Sequence, residues 1–407
     1  MKAHLDHLEE LILLEGVEGG KRAIKILKEM GNLLSGNGGP SPLVTTKWDG
    51  APAIVCGTDP ADGQFFVGTK SVFAVTAPKI CKTQSDIQSM YDGVLANKLS
   101  DCLKYLKNAK IKGVLQGDLM FTSDKVNKTI KGKSYITFRP NTITYAADPK
   151  SKLGQDITRA KLGIVFHTKY TGQKLINQII HQPDGSTREV GMKKSYNVNK
   201  GDYTETSQTW IQTAEYKDVS GAATFSKQEL NKYNQAIKRA EGSLAKAGSI
   251  LNQIQSGKKT LQIDTELLKF FNQYVKKGSS IPFVAVVYTD FMKHMGQEYD
   301  KVISKNKTLK AQADKAVKFK DAINFIEKNK RQFLDMFHSY KDIQLAKMML
   351  VNKMKNISSL KLFVDMGNGD YKATTPEGFV CISEGQAVKL VDRLEFSKLN
   401  FTVPKQW

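Results

Sequence analysis

Three charged residues sit in settings that suit chemistry on a phosphate. They are Lys47 in Lys47-Trp48-Asp49-Gly50, Glu377 in Pro376-Glu377-Gly378-Phe379-Val380, and Lys389 in Val388-Lys389-Leu390-Val391. A lysine amine attacks only when unprotonated, so Lys47 would need burial or a neighbouring cation to lower its pKa. Its place between an apolar run and the Asp49-Gly50 turn would aim the amine into a pocket, with Gly50 letting the backbone approach a ligand. Glu377 offers one of the one or two carboxylates by which Mg²⁺ is commonly held beside phosphate oxygens and water. Lys389 alternates with Val388 and Leu390, so on a strand its ammonium faces away from the core and would neutralise charge as a P–O bond breaks. Taken singly, each has a plainer reading: a hairpin turn, a surface turn and an edge-strand lysine.

The elements that must position these residues follow from hydrophobic period. Leu8, Leu11, Leu14, Ile24, Leu27, Met30 and Leu33 recur at helix spacing over residues 1–36, interrupted by Gly16, Gly19 and Gly20. Strand-like runs at 43–46, 53–57 and 65–70 then form an antiparallel meander around Lys47. A helical stretch at 86–110 precedes short β runs at 113–121, 135–138, 143–146 and 161–168. From Ser226, with Glu229 three residues on as a capping box, the pattern is helical to residue 356 and rich in lysine. Strand-like sequence returns at 360–364. The expected order is an N-terminal helical segment (1–40), the first part of an α+β domain (41–224), a basic helical insertion (225–356) and closing strands (357–407).

The chain has 407 residues and a formal charge of +21, from 61 Lys and Arg against 40 Asp and Glu. That excess points to a polyanionic partner, nucleic acid above all. The four cysteines, Cys56, Cys81, Cys102 and Cys381, form no C-x-x-C pair, which is the pattern of buried free thiols in a reducing compartment. No apolar run is long enough to span a bilayer and the N-terminus lacks a signal-peptide core, so a cytoplasmic protein without a membrane partner is expected.

Order and setting together resemble the covalent nucleotidyltransferase superfamily of ATP-dependent polynucleotide ligases and capping enzymes. Lys47-Trp48-Asp49-Gly50 is similar to its nucleotide-accepting K-x-D-G motif, Glu377-Gly378-Phe379-Val380 to E-G-x-V, and Val388-Lys389-Leu390 to the start of V-K-x-K. Weaker likenesses are Gly68-Thr69-Lys70-Ser71, Gln116-Gly117-Asp118-Leu119 and Ile164-Val165-Phe166-His167. The chain departs from the pattern at Asp118 (usually Glu), Val391 (usually the second lysine, with Arg393 the nearest basic residue) and Pro52 (arginine in DNA ligases and capping enzymes). Pro52, and the short distance from Lys389 to Trp407, which leaves no room for a C-terminal OB-fold, make phage-type RNA ligases the closer likeness.

The resemblance implies an antiparallel nucleotidyltransferase fold, ATP as substrate and Mg²⁺ or Mn²⁺ as cofactor. It makes Lys47 the nucleophile and Lys389 and Glu377 catalytic partners. Asp49, Gly50, Lys70, Asp118 and Lys389 become nucleotide contacts, Phe166 the base-stacking ring, and Glu377 with Asp118 the metal ligands. RNA is favoured over DNA as partner. The alternatives are a DNA ligase or other adenylyltransferase, and a nucleic-acid-binding protein on a fold that has lost its chemistry.

Overall fold

A computed structural model describes residues 5–36, 42–176, 178–181, 187–216, 223–257, 262–305, 308–355, 360–367 and 369–397. In chain order its elements are α1 (Leu11–Leu34), β1 (Leu43–Lys47), β2 (Ala53–Thr58), β3 (Phe65–Gly68), α2 (Gln84–Met90), α3 (Gly93–Leu106), β4 (Val114–Phe121), β5 (Val126–Ile130), β6 (Lys133–Phe138), β7 (Ile143–Ala147), α4 (Lys152–Arg159), β8 (Leu162–Thr171), β9 (Gln178–His181), β10 (Thr187–Val190), β11 (Lys193–Ser195) and β12 (Thr209–Thr213). There follow α5 (Lys227–Ser256), α6 (Ile263–Lys277), α7 (Val284–Lys305), α8 (Leu309–Lys328), α9 (Lys330–Met354), β13 (Lys361–Gly367), β14 (Asp370–Ala373), β15 (Gly378–Ser383) and β16 (Gln386–Val391).

The protein is mixed α and β with mainly antiparallel sheets, and it divides into two compact units. A helical unit comprises Met1–Pro42, Ser220–Asn356 and Val380–Thr402. A sheet unit comprises Leu43–Val219, Ile357–Phe379 and Val403–Trp407. The helical stretch expected over 225–356 thus shares its unit with α1. The expected closing strands are divided, with β13 and β14 in the sheet unit.

In the sheet unit, one sheet has the order β11-β8-β4-β2-β3, with β12 pairing in parallel onto β8. A second, antiparallel sheet runs β14-β13-β7-β6-β5. One face of the first sheet (Ile54, Leu115, Leu119, Ile164) packs on Leu99, Cys102 and Leu106 of α3 in a single buried cluster. All four cysteines are buried and free, as their spacing predicts.

In the helical unit α5 starts at the predicted capping box. The Glu229 N–H donates to Ser226 Oγ (3.3 Å), and the Ser226 N–H donates to the Glu229 carboxylate (2.8 Å). Of the apolar residues at helix spacing, Tyr233, Ile237, Ala240, Leu244, Ala247, Leu251 and Ile254 are all buried, while Leu230 at the start is half-buried.

Several boundaries differ from expectation. The helix expected over 86–110 is two, broken where Tyr91 and Asp92 are extended. The last part of the helical pattern expected to residue 356 is α8 and α9, parted at Asn329. Gly19 and Gly20 do not break α1, which kinks only at Gly16 (φ +64°). Strands β5 and β9 to β12 carry no clear alternation and were not expected.

Candidate functional site

The loop after β1 is fixed before any ligand is considered. The Thr46 N–H donates to Ala214 O (2.7 Å) and the Tyr216 N–H to Val44 O (2.9 Å), which holds β1 beside the segment leaving β12. Past Lys47, the Ala51 N–H donates to Leu119 O and the Leu119 N–H to Pro52 O, both at 3.0 Å, so the loop is clamped to β4. Gly50 is required by this clamp, because a Cβ there would meet Asp118 Cβ at 2.6 Å and Met120 Sδ at 2.9 Å. The backbone it brings close here is that of its own sheet.

Asp49 also has a different task from the expected one. Its carboxylate accepts from Asn141 Nδ2, the Thr142 N–H and the Ile143 N–H, each at 2.7 Å, and its own N–H donates to Tyr145 Oη (2.8 Å). Buried and bonded on both oxygens, it ties the Lys47 loop to the turn between β6 and β7.

Around the clamp three expected residues converge. Lys47 Nζ is ion-paired with the carboxylate of Glu377, a residue 330 positions away, and the two side chains are 28% and 12% exposed. Asp118 is close enough to add to the field at the Lys47 ammonium, as is Asp49. The expected nucleophile is thus not pre-activated. Burial pulls the Lys47 pKa down, but the Glu377, Asp118 and Asp49 carboxylates outweigh it and hold the ammonium above the ordinary lysine value. Asp118 follows a register shift between β4 and β8 at Gln116/Gly117, a bulge of the kind that re-aims a side chain.

His167 was missed as a site residue. It stands diagonally across β8 from Asp118, its Nε2 3.7 Å from Asp118 Oδ1 and its Nδ1 hydrogen-bonded to Thr168 Oγ1 (2.7 Å). The alternation of β8 could not have found it, because the register shift falls at His167: Phe166 before it packs in the cluster against α3, and Tyr170 beyond it packs in a separate cluster with Val55 and Val114. Burial corrects Phe166. Its ring is fully buried, 5.8 Å from Tyr203 in the core against α3, and cannot stack on a base.

Beside Lys47 in the chain, Trp48 stacks on Tyr145 at 5.5 Å, and Phe138 and Trp210 complete the aromatic group. Burial first, then the Asp49 carboxylate, raise the Tyr145 hydroxyl well above its ordinary pKa, so it stays a neutral hydrogen-bonding group.

Lys70 is exposed on a one-turn helix after the edge strand β3, which is separated from β4 by β2. Lys389 belongs to the helical unit, where its N–H donates to Asp6 O (2.9 Å). Val391 is buried there, and Arg393 is bound to Glu10 (2.7 Å) and Asn272. Arg393 therefore does not stand in for the missing second lysine.

Glu377 and Asp118 are hard oxygen donors of the number and kind that Mg²⁺ takes from protein, so they fit the implied metal. Among the described residues no three His, Cys, Asp or Glu side chains are grouped to hold a metal by themselves. Also among them, no helix is long and apolar enough to cross a membrane. Comparison with curated proteins and with solved structures returned no match. A family model described as a family of unknown function (DUF6267) matches residues 2–405, and the chain belongs to that family.

Proposed function

We propose that the protein is an ATP-dependent RNA ligase-like enzyme that joins polynucleotide ends through a lysyl-AMP intermediate. The observation that carries this reading is the meeting of Lys47 with Glu377, beside Asp118, within one unit and from distant parts of the chain.

In the first step the Lys47 ammonium loses its proton and the freed amine attacks the α-phosphorus of ATP. An N–P bond forms, the bond to the β-phosphate oxygen breaks, and pyrophosphate leaves. A 5′-phosphate oxygen of the polynucleotide then attacks the lysyl-AMP phosphorus and releases Lys47. A 3′-hydroxyl finally attacks that 5′-phosphate and AMP departs. The protein's part is alignment and charge stabilisation. Glu377 and Asp118 would hold Mg²⁺ or Mn²⁺, which supplies positive charge at the phosphates. The clamp through Asp49 and Gly50 fixes where the Lys47 amine stands, and His167 shares the Asp118 face.

The test is incubation with α-labelled ATP and Mg²⁺ followed by acid precipitation. Label on wild type and none on Lys47→Ala is expected, and an unlabelled wild type overturns the enzyme reading. Labelled protein is then offered nicked RNA, single-stranded RNA and nicked DNA, with sealing of RNA expected and preference for nicked DNA favouring a DNA ligase. One observation favours a second reading, a nucleic-acid-binding protein without ligase chemistry: Val391 and the locked Arg393 provide no second cation of the V-K-x-K kind. Polynucleotide binding with no adduct would select it.

A further inference from the structure

The helical unit holds a cavity of about 810 Å³, in the size range of organic-ligand sites, among α5, α6, α9 and the loop that leads into α7. Its wall is apolar and aromatic, including Phe271, Tyr274, Val284 and Met348. At its edge Phe283 leaves 83% of its surface in solvent. Lys341 donates to the Pro282 carbonyl (2.8 Å), and its ammonium lies over the Phe283 ring, 5.5 Å from the centroid.

The acids of the lining are matched by nearby cations: Asp342 by Arg239 at 2.7 Å, and Asp392 and Glu395 by Lys355 at 3.8 and 3.6 Å. Lys347 and Arg393, in the floor, are paired with Glu9 and Glu10. Arg393, only 7% exposed, is spent inside the unit on Glu10 and Asn272. Lys277, exposed at the end of α6, leads directly into the lining loop.

An aromatic face, adjacent lysines and a recess with ample room for a base are what an unstacked nucleotide needs, and the +21 charge of the chain suits a polyanion. We propose that this cavity receives one unstacked base of a single-stranded polynucleotide. Phe283 stacks on it at the mouth, and Lys341 and Lys277 meet the flanking phosphates. A duplex, whose bases stay stacked, is excluded from the recess. The inference rests on the polynucleotide part of the proposed function, but not on its chemistry.

The experiment uses the full chain carrying Lys47→Ala, so that adduct formation plays no part, and fluorescence anisotropy with a labelled single-stranded RNA oligonucleotide and the matching duplex. Phe283→Ala weakens single-strand binding about tenfold, the size of one lost base stack, with an unchanged salt slope and unchanged duplex binding. Lys341→Gln lowers the salt slope by about one. Leu345→Trp, which fills the recess from a position 47% exposed, repeats the loss seen with Phe283→Ala. A loss in either aromatic-site variant at an unchanged melting temperature supports the site. Single-strand affinity that neither variant changes, or that does not exceed duplex affinity, overturns it. A missing lysyl-AMP adduct in the separate labelling assay leaves this result standing.

Discussion

At Lys47, burial and charge pull in opposite directions, and the carboxylates win. Glu377 is the strongest of them, so Glu377→Gln lowers the Lys47 pKa. Modification of Lys47 by an amine-reactive reagent, followed by peptide mass spectrometry, then begins at a lower pH than in wild type, and an identical pH profile contradicts the pairing. The sign for stability follows: a lysine whose folded pKa is raised stabilises the fold below its ordinary value, and this is lost as pH rises through the folded value. Asp49 is the second decisive residue. Its carboxylate serves two buried backbone N–H groups as well as Asn141. Asp49→Ala leaves both donors unmade at about 1–3 kcal/mol each, so a loss of about 2–6 kcal/mol is expected in urea denaturation. A loss under 1 kcal/mol would mean that the clamp is dispensable.

Among the elements, α5 shows how a local signal and a distant partner combine. Glu229 closes the capping box and also bonds Lys353 of α9 at 2.9 Å. The Lys353 ammonium, with the Ser226 N–H, holds the Glu229 carboxyl down at about 2. A carboxyl so lowered contributes its stability above the ordinary glutamate value, near 4.5, and loses it as pH falls towards 2. Wild type and Glu229→Gln should therefore differ most in melting temperature at pH 6 and converge by about pH 2. A difference that persists undiminished at pH 2 places the effect elsewhere. β4 and β8 make a second case. Their bulge puts Asp118 and His167 on one face, and no single-strand pattern contains that information.

Over the whole molecule, each unit is assembled from segments far apart in the chain. In the helical unit Glu9 and Lys347, 338 residues apart, form a pair with neither side chain exposed, at 2.8 and 2.9 Å. Losing one partner strands a buried charge, so Lys347→Met should destabilise by about 3–5 kcal/mol, while Glu9→Leu with Lys347→Met recovers most of it. Chemical denaturation of the two variants decides this, and a double variant no better than the single one refutes it. Charge acts at the same scale: if nucleic acid is the partner, affinity falls steeply with salt, in proportion to the phosphates neutralised.

Much was fixed by local sequence. The period of α5, its capping box, the strands around Lys47 and the four buried thiols were all readable, because they depend on neighbours within a turn or a strand. The K-x-D-G and E-G-x-V settings singled out Lys47 and Glu377 as a pair worth testing. Tertiary structure decided what those residues do to one another. It made Lys47 a paired ammonium rather than a pre-activated amine, turned Asp49 and Gly50 into a clamp, buried Phe166 and brought His167 to Asp118. The reason is physical: pKa, burial and strand register are set by groups that fold close from hundreds of residues away, and a one-dimensional pattern carries the identity of those groups but not their distance.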